Sequence, residues 1–375
     1  MPADNSNNQK TFLQQIQDAI DEIFESLRSE WNSFRENVNN PNSWNSSFRK
    51  ESGEVMDYYL TPEQREQLKQ MRPMRAALYR TGWVFLAMFE KLNPERRVLS
   101  IIGVLLILFS NQNNSFDVFG GLCLILVILL ELKDKLVAHD ELEEGRHIQE
   151  MLMPEGTPEV NGWSVWTFTR SANEVCGDLI DFLRMDDGRI GVAIADVAGK
   201  GLHAALLTTK LQATLRAIAF DRQPLSTLIE KVNTIFHRDS PSHLFASLFY
   251  IEFTENESAV RFVNAGHLPA LVRKNGSIEE TGKGDLALGL TRTAHFAEQS
   301  AELRSGDLIL LYSDGVSEAK NGRGEFFGKD RLVKLLSASS GSAQQSGLSI
   351  LREVDAFVGS TKPSDDLSMI ILQRK

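Results

Sequence analysis

NEVCGDLIDFLRMDDGRIGVAIADVAGKG, residues 173–201, holds two strand-like runs joined by Asp187-Gly188, a dipeptide that favours a tight hairpin. Asp178 stands just before the first run and Asp196 where the second ends. Pairing the runs across the turn brings both carboxylates to one end of the hairpin. Two carboxylates held that close repel each other unless a cation or a proton lies between them. Gly177, Gly199 and Gly201 let the backbone approach such a cation and leave it in a tight turn.

Working outward, further short motifs follow in order: Phe245-Ala246-Ser247-Leu248, Asn264-Ala265-Gly266-His267-Leu268-Pro269, Gly306-Asp307, LYSDGVSEA from Leu311 to Ala319, and Asp365-Asp366-Leu367-Ser368. Asp314 and Asp365, like the hairpin aspartates, lie at strand ends or in the turns beside them. An all-oxygen set without His or Cys suits Mg2+ or Mn2+ rather than Zn2+. Together with GDxxDFxxxxDGRxxxxxADVAGKGxxAAL in the hairpin, the ordered set closely resembles the RsbU/SpoIIE-like branch of the metal-dependent (PPM, type 2C) serine/threonine protein phosphatases. The resemblance covers roughly the last three-fifths of the chain.

That resemblance implies an α+β fold, two packed antiparallel sheets flanked by helices in an αββα sandwich. It implies two ions, Mn2+ or Mg2+, bridged by Asp196 with the Val197 carbonyl as a further ligand. Asp178 would act on the second ion, partly through water, and Asp314 and Asp365 would bind the first. Asp366 stands where relatives have Asp or Asn, and two roles stay open for it: orienting its neighbour or ligating directly. The implied reaction is hydrolysis of phosphoserine or phosphothreonine by metal-activated water, without a phosphoenzyme. The implied substrate is a phosphorylated regulatory protein such as an anti-sigma-factor antagonist. The alternative is a membrane-tethered scaffold whose phosphatase-like domain binds a partner and turns nothing over.

The 375 residues exceed what one domain usually needs. A formal net charge of −10 argues against a nucleic-acid partner. Two cysteines, Cys123 and Cys176, give no disulfide framework. Cys176 beside the site raises a thiol nucleophile, but a cysteine phosphatase needs an arginine six residues on, where Phe182 stands; Cys176 reads as a small loop residue. Gly199-Lys200-Gly201 resembles a P-loop fragment, yet Ile194 occupies the required earlier glycine position and no Ser or Thr follows Lys200. Asp187 reads as a turn residue. Asp181 and His267 are weighed as a metal neighbour and a proton donor against purely structural roles.

The front of the chain, residues 1–95, reads as a helical region with a linker. An apolar stripe over residues 12–34 predicts an amphipathic helix, and the Asn/Ser-rich stretch 36–52 predicts the linker. Thr61-Pro62-Glu63-Gln64 predicts a helix start. Two aliphatic runs, Val98–Phe109 and Val118–Leu130, are separated by an uncharged polar loop and flanked by Arg96, Arg97, Lys133 and Lys135. The charge pattern predicts a membrane hairpin at 96–132 with both ends in the cytoplasm, although each run is short of the ~20 residues of a spanning helix; a buried soluble helical hairpin is the alternative. Location at the cytoplasmic membrane follows as an expectation. Residues 133–154 predict an amphipathic linker helix stopped by Pro154; by resemblance such a linker forms a homodimer and transmits a signal. Residues 155–375 make the phosphatase-type domain, with strands and helices in clusters that favour antiparallel sheets over a doubly wound parallel one.

Overall fold

A computed structural model of the chain describes residues 59–110, 115–154, 159–339 and 341–375, together with Arg28. The stripe of residues 12–34, Arg28 apart, and the linker at 36–52 lie outside the described residues. The chain divides into two compact units, Met1–Leu132 and Lys133–Lys375.

In the first unit, helix α1 (Pro62–Lys69) starts at the predicted cap. Thr61 Oγ1 accepts from the Gln64 amide at 3.3 Å while Gln64 Oε1 accepts from the Thr61 amide at 3.0 Å, so two otherwise orphaned donors are satisfied reciprocally. Pro73 opens helix α2 (Pro73–Lys91) at its first position, where a missing N–H costs nothing. The two aliphatic runs form α3 (Pro94–Leu108) and the start of α4 (Phe116–Leu152). Among the described residues, however, no helix is long and apolar enough to cross a membrane, which corrects the spanning hairpin expected from the flanking charges. Helix α3 has 15 residues and opens with Glu95, Arg96 and Arg97. The apolar part of α4 is closed off by Asp117 and Glu131. The runs instead build a close helix pair. A Cβ added to Gly120 would collide with the Gly103 carbonyl and with Ile107, and Arg96 pairs with Glu131 at 2.6 Å.

The second unit is a four-layer sandwich. One sheet has the order β1 (Trp163–Arg170), β10 (Leu367–Arg374), β9 (Leu308–Tyr312), β6 (Leu271–Lys274), β7 (Ser277–Glu280). The other has β2 (Asp178–Arg184), β3 (Arg189–Val197), β4 (Ala246–Thr254), β5 (Ala259–Ala265), β8 (Gln299–Glu302). All pairings between these strands are antiparallel. The period-2 pattern of strands sends alternate side chains to opposite faces. Ile180, Val192, Ile194, Phe249 and Ile251 of one sheet thus meet Ile309, Leu311, Ile370 and Leu372 of the other in a dry inter-sheet core.

The outer face of the second sheet packs on α5 (Leu202–Ala219) and α6 (Leu225–Asp239). The outer face of the first packs on α8 (Lys329–Ala338) and α9 (Ala343–Val358). A single turn of helix, α7 (Asp314–Ser317), follows β9. This is the αββα arrangement expected. Asn275 and Gly276, both at positive φ, close β6 onto β7 as a two-residue hairpin should.

Candidate active site

The hairpin turn fixes the first half of the site. With the loop centred on Asp187-Gly188, the β2–β3 register sets Asp178 opposite Asp196, as the sequence demanded. Asp187 is confined to the turn, where its carboxylate accepts from the Arg189 amide at 3.3 Å and from Nε at 2.7 Å.

The second half comes from the facing sheet. Strand β9 ends at Tyr312 and delivers Asp314; its antiparallel neighbour β10 starts at Leu367, just after Asp365 and Asp366. Ser313 stitches the two ends together: its Oγ accepts from the Ser368 amide at 3.0 Å and donates to the Asp366 carbonyl at 3.2 Å. Gly315 is required there, because any Cβ would overlap the Asp366 carbonyl oxygen. The chain thus brings all four predicted aspartates to one end of the sandwich.

Their electrostatics reflect that crowding. Burial pushes Asp178 well above the carboxylate range, and Asp196 and Asp366 push it further, against partial relief from the Ser368 and Ser313 hydroxyls. Its Oδ2 is buried with no hydrogen-bond partner. Asp196 is raised to about 6 by burial and then by Asp314, Asp365 and Asp366, with Lys200 opposing. Asp314 is raised by burial and by Asp365 and Glu318. An orphaned buried carboxylate oxygen within an all-oxygen donor set fits divalent ions of the Mg2+ or Mn2+ type.

Among the described residues no three His, Cys, Asp or Glu side chains converge tightly enough to hold an ion. Two of the acidic residues are engaged within the chain. Asp366 accepts from the Gly177 amide at 2.6 Å, the Ala172 amide at 2.8 Å and Ser171 Oγ at 3.2 Å, so it ties loop 171–177 to β10. Asp365 Oδ2 accepts from Lys200 Nζ at 3.0 Å.

The sign of the pH dependence follows. In the unfolded chain Asp196 titrates near its ordinary 3.8, and in the fold near 6. Between those values the folded state keeps a proton that the unfolded state has released, so rising pH favours unfolding. In EDTA, wild-type stability should fall relative to Asp196→Asn as pH rises from about 4 to about 6 and stay lower above that, by about 3 kcal/mol. Urea unfolding of both proteins across that range checks it; parallel curves would contradict it.

The neighbours sort themselves by burial. Asp181 is fully buried and paired with Arg216 of α5, Nε to Oδ2 at 2.9 Å and Nη2 to Oδ1 at 2.7 Å; it pins a helix rather than facing the cluster. His267 is buried, pushed down to about 4 by desolvation, and shares a 2.9 Å hydrogen bond through Nδ1 with Ser247. Ser247 lies across from Asp196 in the β3–β4 register, on the same face of the sheet, so His267 braces the strand next to Asp196. The Cys176 thiol is buried and pushed up by desolvation and by Asp366 and Asp178, which leaves it an inert neutral group.

Sequence reading missed Gln149, on the linker part of α4. Its amide brackets Cys176: Oε1 accepts from the Cys176 amide at 3.1 Å, and Nε2 donates to the Cys176 carbonyl at 3.1 Å and to the Ala205 carbonyl at 3.3 Å. A glutamine among exposed charges carries no mark of this, although it falls on the same helix face as Leu142 and Leu152. Gln149→Ala leaves buried backbone groups beside Asp178 unpaired and should cost about 2 kcal/mol, read as a lowered urea midpoint of the full chain; an unchanged midpoint would refute the anchoring role.

The family model described as Stage II sporulation protein E (SpoIIE) matches residues 186–375. Protein IcfG of Synechocystis is 26% identical over 301 residues, 70% of this chain and 47% of IcfG. Phosphoserine phosphatase RsbU of Bacillus subtilis is 24% identical over 237 residues, 63% of this chain and 70% of RsbU. The chain thus spans about half the length of the first of these relatives. Among solved structures, the SiaA-PP2C domain of Pseudomonas aeruginosa superposes with a TM-score of 0.57 at 17% identity, covering 65% of this chain and 99% of that domain. The PP2C phosphatase domain of SpoIIE from Bacillus subtilis, with a fragment of its regulatory domain, gives 0.51 at 16%, covering 58% and 64%. These likenesses establish the PP2C-type fold. With half of its length matched by the family model and its paired aspartates set at the sheet ends of that fold, the chain belongs to the SpoIIE family.

Proposed function

We propose that the chain is a metal-dependent phosphatase that removes phosphate from serine or threonine of a regulatory protein. The observation that carries this reading is the direct opposition of Asp178 and Asp196, one of them with an orphaned buried oxygen, beside Asp314 and Asp365 from the facing sheet. Names among the relatives, phosphoserine phosphatases RsbU and RsbP, support the reaction class.

Asp178, Asp196, Asp314 and Asp365, with the Val197 carbonyl, would hold two Mn2+ or Mg2+ ions. Bound there, such ions supply an activated water and neutralise charge on the phosphoryl group. The chain's own residues prepare that chemistry. The hairpin register presents two carboxylates side by side, Gly315 lets β10 close against Asp314, and Asp366 holds loop 171–177 in place. Burial keeps the Cys176 thiol neutral and so a poor nucleophile, in keeping with direct attack by water and no phosphoenzyme. The test is Mn2+-dependent phosphate release from a phosphoserine protein by the full chain.

A non-catalytic scaffold is the second reading, favoured by the engagement of Asp365 and Asp366 within the chain. Partner binding without phosphate release at saturating Mn2+ would select it.

Attachment at the cytoplasmic membrane surface and pairing of two chains along residues 133–152 belong to the same proposal. Exposed Leu122, Ile125, Leu126 and Leu129 on α4 support the first, and exposed Leu136, Val137, Ile148 and Met151 support the second. Membrane fractionation and sedimentation check them.

A further inference from the structure

Lys200 lies in the loop between β3 and α5, between Gly199 and Gly201, both at positive φ. Its Nζ crosses to the other sheet and donates to the Ser364 carbonyl at 2.7 Å and to Asp365 Oδ2 at 3.0 Å. Asp365 Oδ1 accepts from the Asp366 amide at 3.1 Å. Both oxygens of Asp365 are therefore engaged inside the chain. The ammonium charge also reaches Asp196 and Asp314, favouring their ionised forms. One monovalent charge thus serves three of the four aspartates. A divalent ion that takes Asp365 Oδ2 meets both a hydrogen bond to break and a like charge to displace.

We propose that Lys200 is a built-in competitor for the cation, a positioning residue that occupies Asp365 and must swing away before that carboxylate can ligate. The inference rests on the metal-dependent reading of the site. Its consequence is a site tuned to loose ion binding, whose occupancy follows the surrounding divalent concentration. The Lys200 side chain is 59% exposed, so the ammonium can leave into water without disturbing the core. An exposed pair of this kind is worth up to about 1 kcal/mol, which sets the scale of the competition.

The experiment is a Mn2+ titration of the full chain followed by electron paramagnetic resonance, for wild type, Lys200→Gln, Lys200→Met and Lys200→Arg. Both neutral variants should bind Mn2+ about five-fold more tightly than wild type, and Lys200→Arg should stay close to wild type. A lysine that only ordered its loop would give the opposite sign, because its loss would loosen the ligands. Equal or weaker binding by either neutral variant, with an unchanged circular dichroism spectrum, overturns the proposal. Absence of Mn2+ binding by wild type overturns the metal-dependent reading itself, and this inference with it.

Discussion

Asp196→Asn should lower phosphate release by on the order of 10³-fold while making the metal-free protein more stable. The two effects have opposite signs for one reason. Asp196 faces Asp178 across the hairpin and feels Asp314, Asp365 and Asp366, so its charge is unfavourable in the fold and useful only to a bound cation. Asparagine keeps the shape and removes the charge. At pH 7.5 in EDTA the variant should gain up to about 3 kcal/mol, the differential set by the raised ionisation of the native carboxyl. Adding Mn2+ should raise the melting temperature of wild type much more than that of the variant. Undiminished phosphate release by Asp196→Asn would remove the proposed bridging ligand. A variant that loses activity and stability together would show that the loss came from misfolding and not from the missing ligand.

The same hairpin shows how far the sequence could be read. Asp187-Gly188 names the turn, the turn sets the register, and the register alone puts Asp178 against Asp196; every link is local, so nothing beyond residues 173–201 was needed. Asp314 and Asp365 were legible as strand-end acids because β9 and β10 are apolar runs with abrupt ends.

What escaped is non-local. That Asp366 accepts from three donors of loop 171–177 depends on a contact across nearly 200 residues of chain, and no spacing rule carries such information. The grip of Gln149 on Cys176 likewise needs the helix to be docked before it has meaning. Other misses were oversights of local signals. Helix α9 starts at Ala343, at a reciprocal Ser342–Gln345 cap that the sequence displays openly and that went unread. The aliphatic runs misled in a different way, since charge on the flanks was allowed to outweigh length. Glu131, left out of that reading, pairs with Arg96 beside a glycine-lined helix crossing.

Arg216→Met should be among the most destabilising single changes in the second unit, about 3 kcal/mol by urea unfolding. Asp181 is fully buried on β2, three residues from Asp178, and Arg216 supplies both of its charged hydrogen bonds. Removing the guanidinium strands a carboxylate where neither water nor another cation reaches it. The value sits at the low end for broken buried pairs because Arg216 itself is 40% exposed. The same guanidinium donates to the Leu152 carbonyl at 3.2 Å, so its loss also frees the end of the long helix α4. Asp181→Leu combined with Arg216→Met tests the cause: with no charge left to desolvate, the double variant should recover most of the loss. If the single change costs under 1 kcal/mol, the pair is not what fastens α5 to the hairpin. If the double variant is as unstable as the single one, the damage lies in the lost bond to Leu152 rather than in the stranded charge. Because β2 carries both Asp181 and Asp178, the ion pair that holds the strand to its helix also holds the first aspartate of the site at its depth. Arg216→Met should therefore require more Mn2+ for half-maximal phosphate release than wild type does, an effect that Asp181→Leu with Arg216→Met should share only in small part.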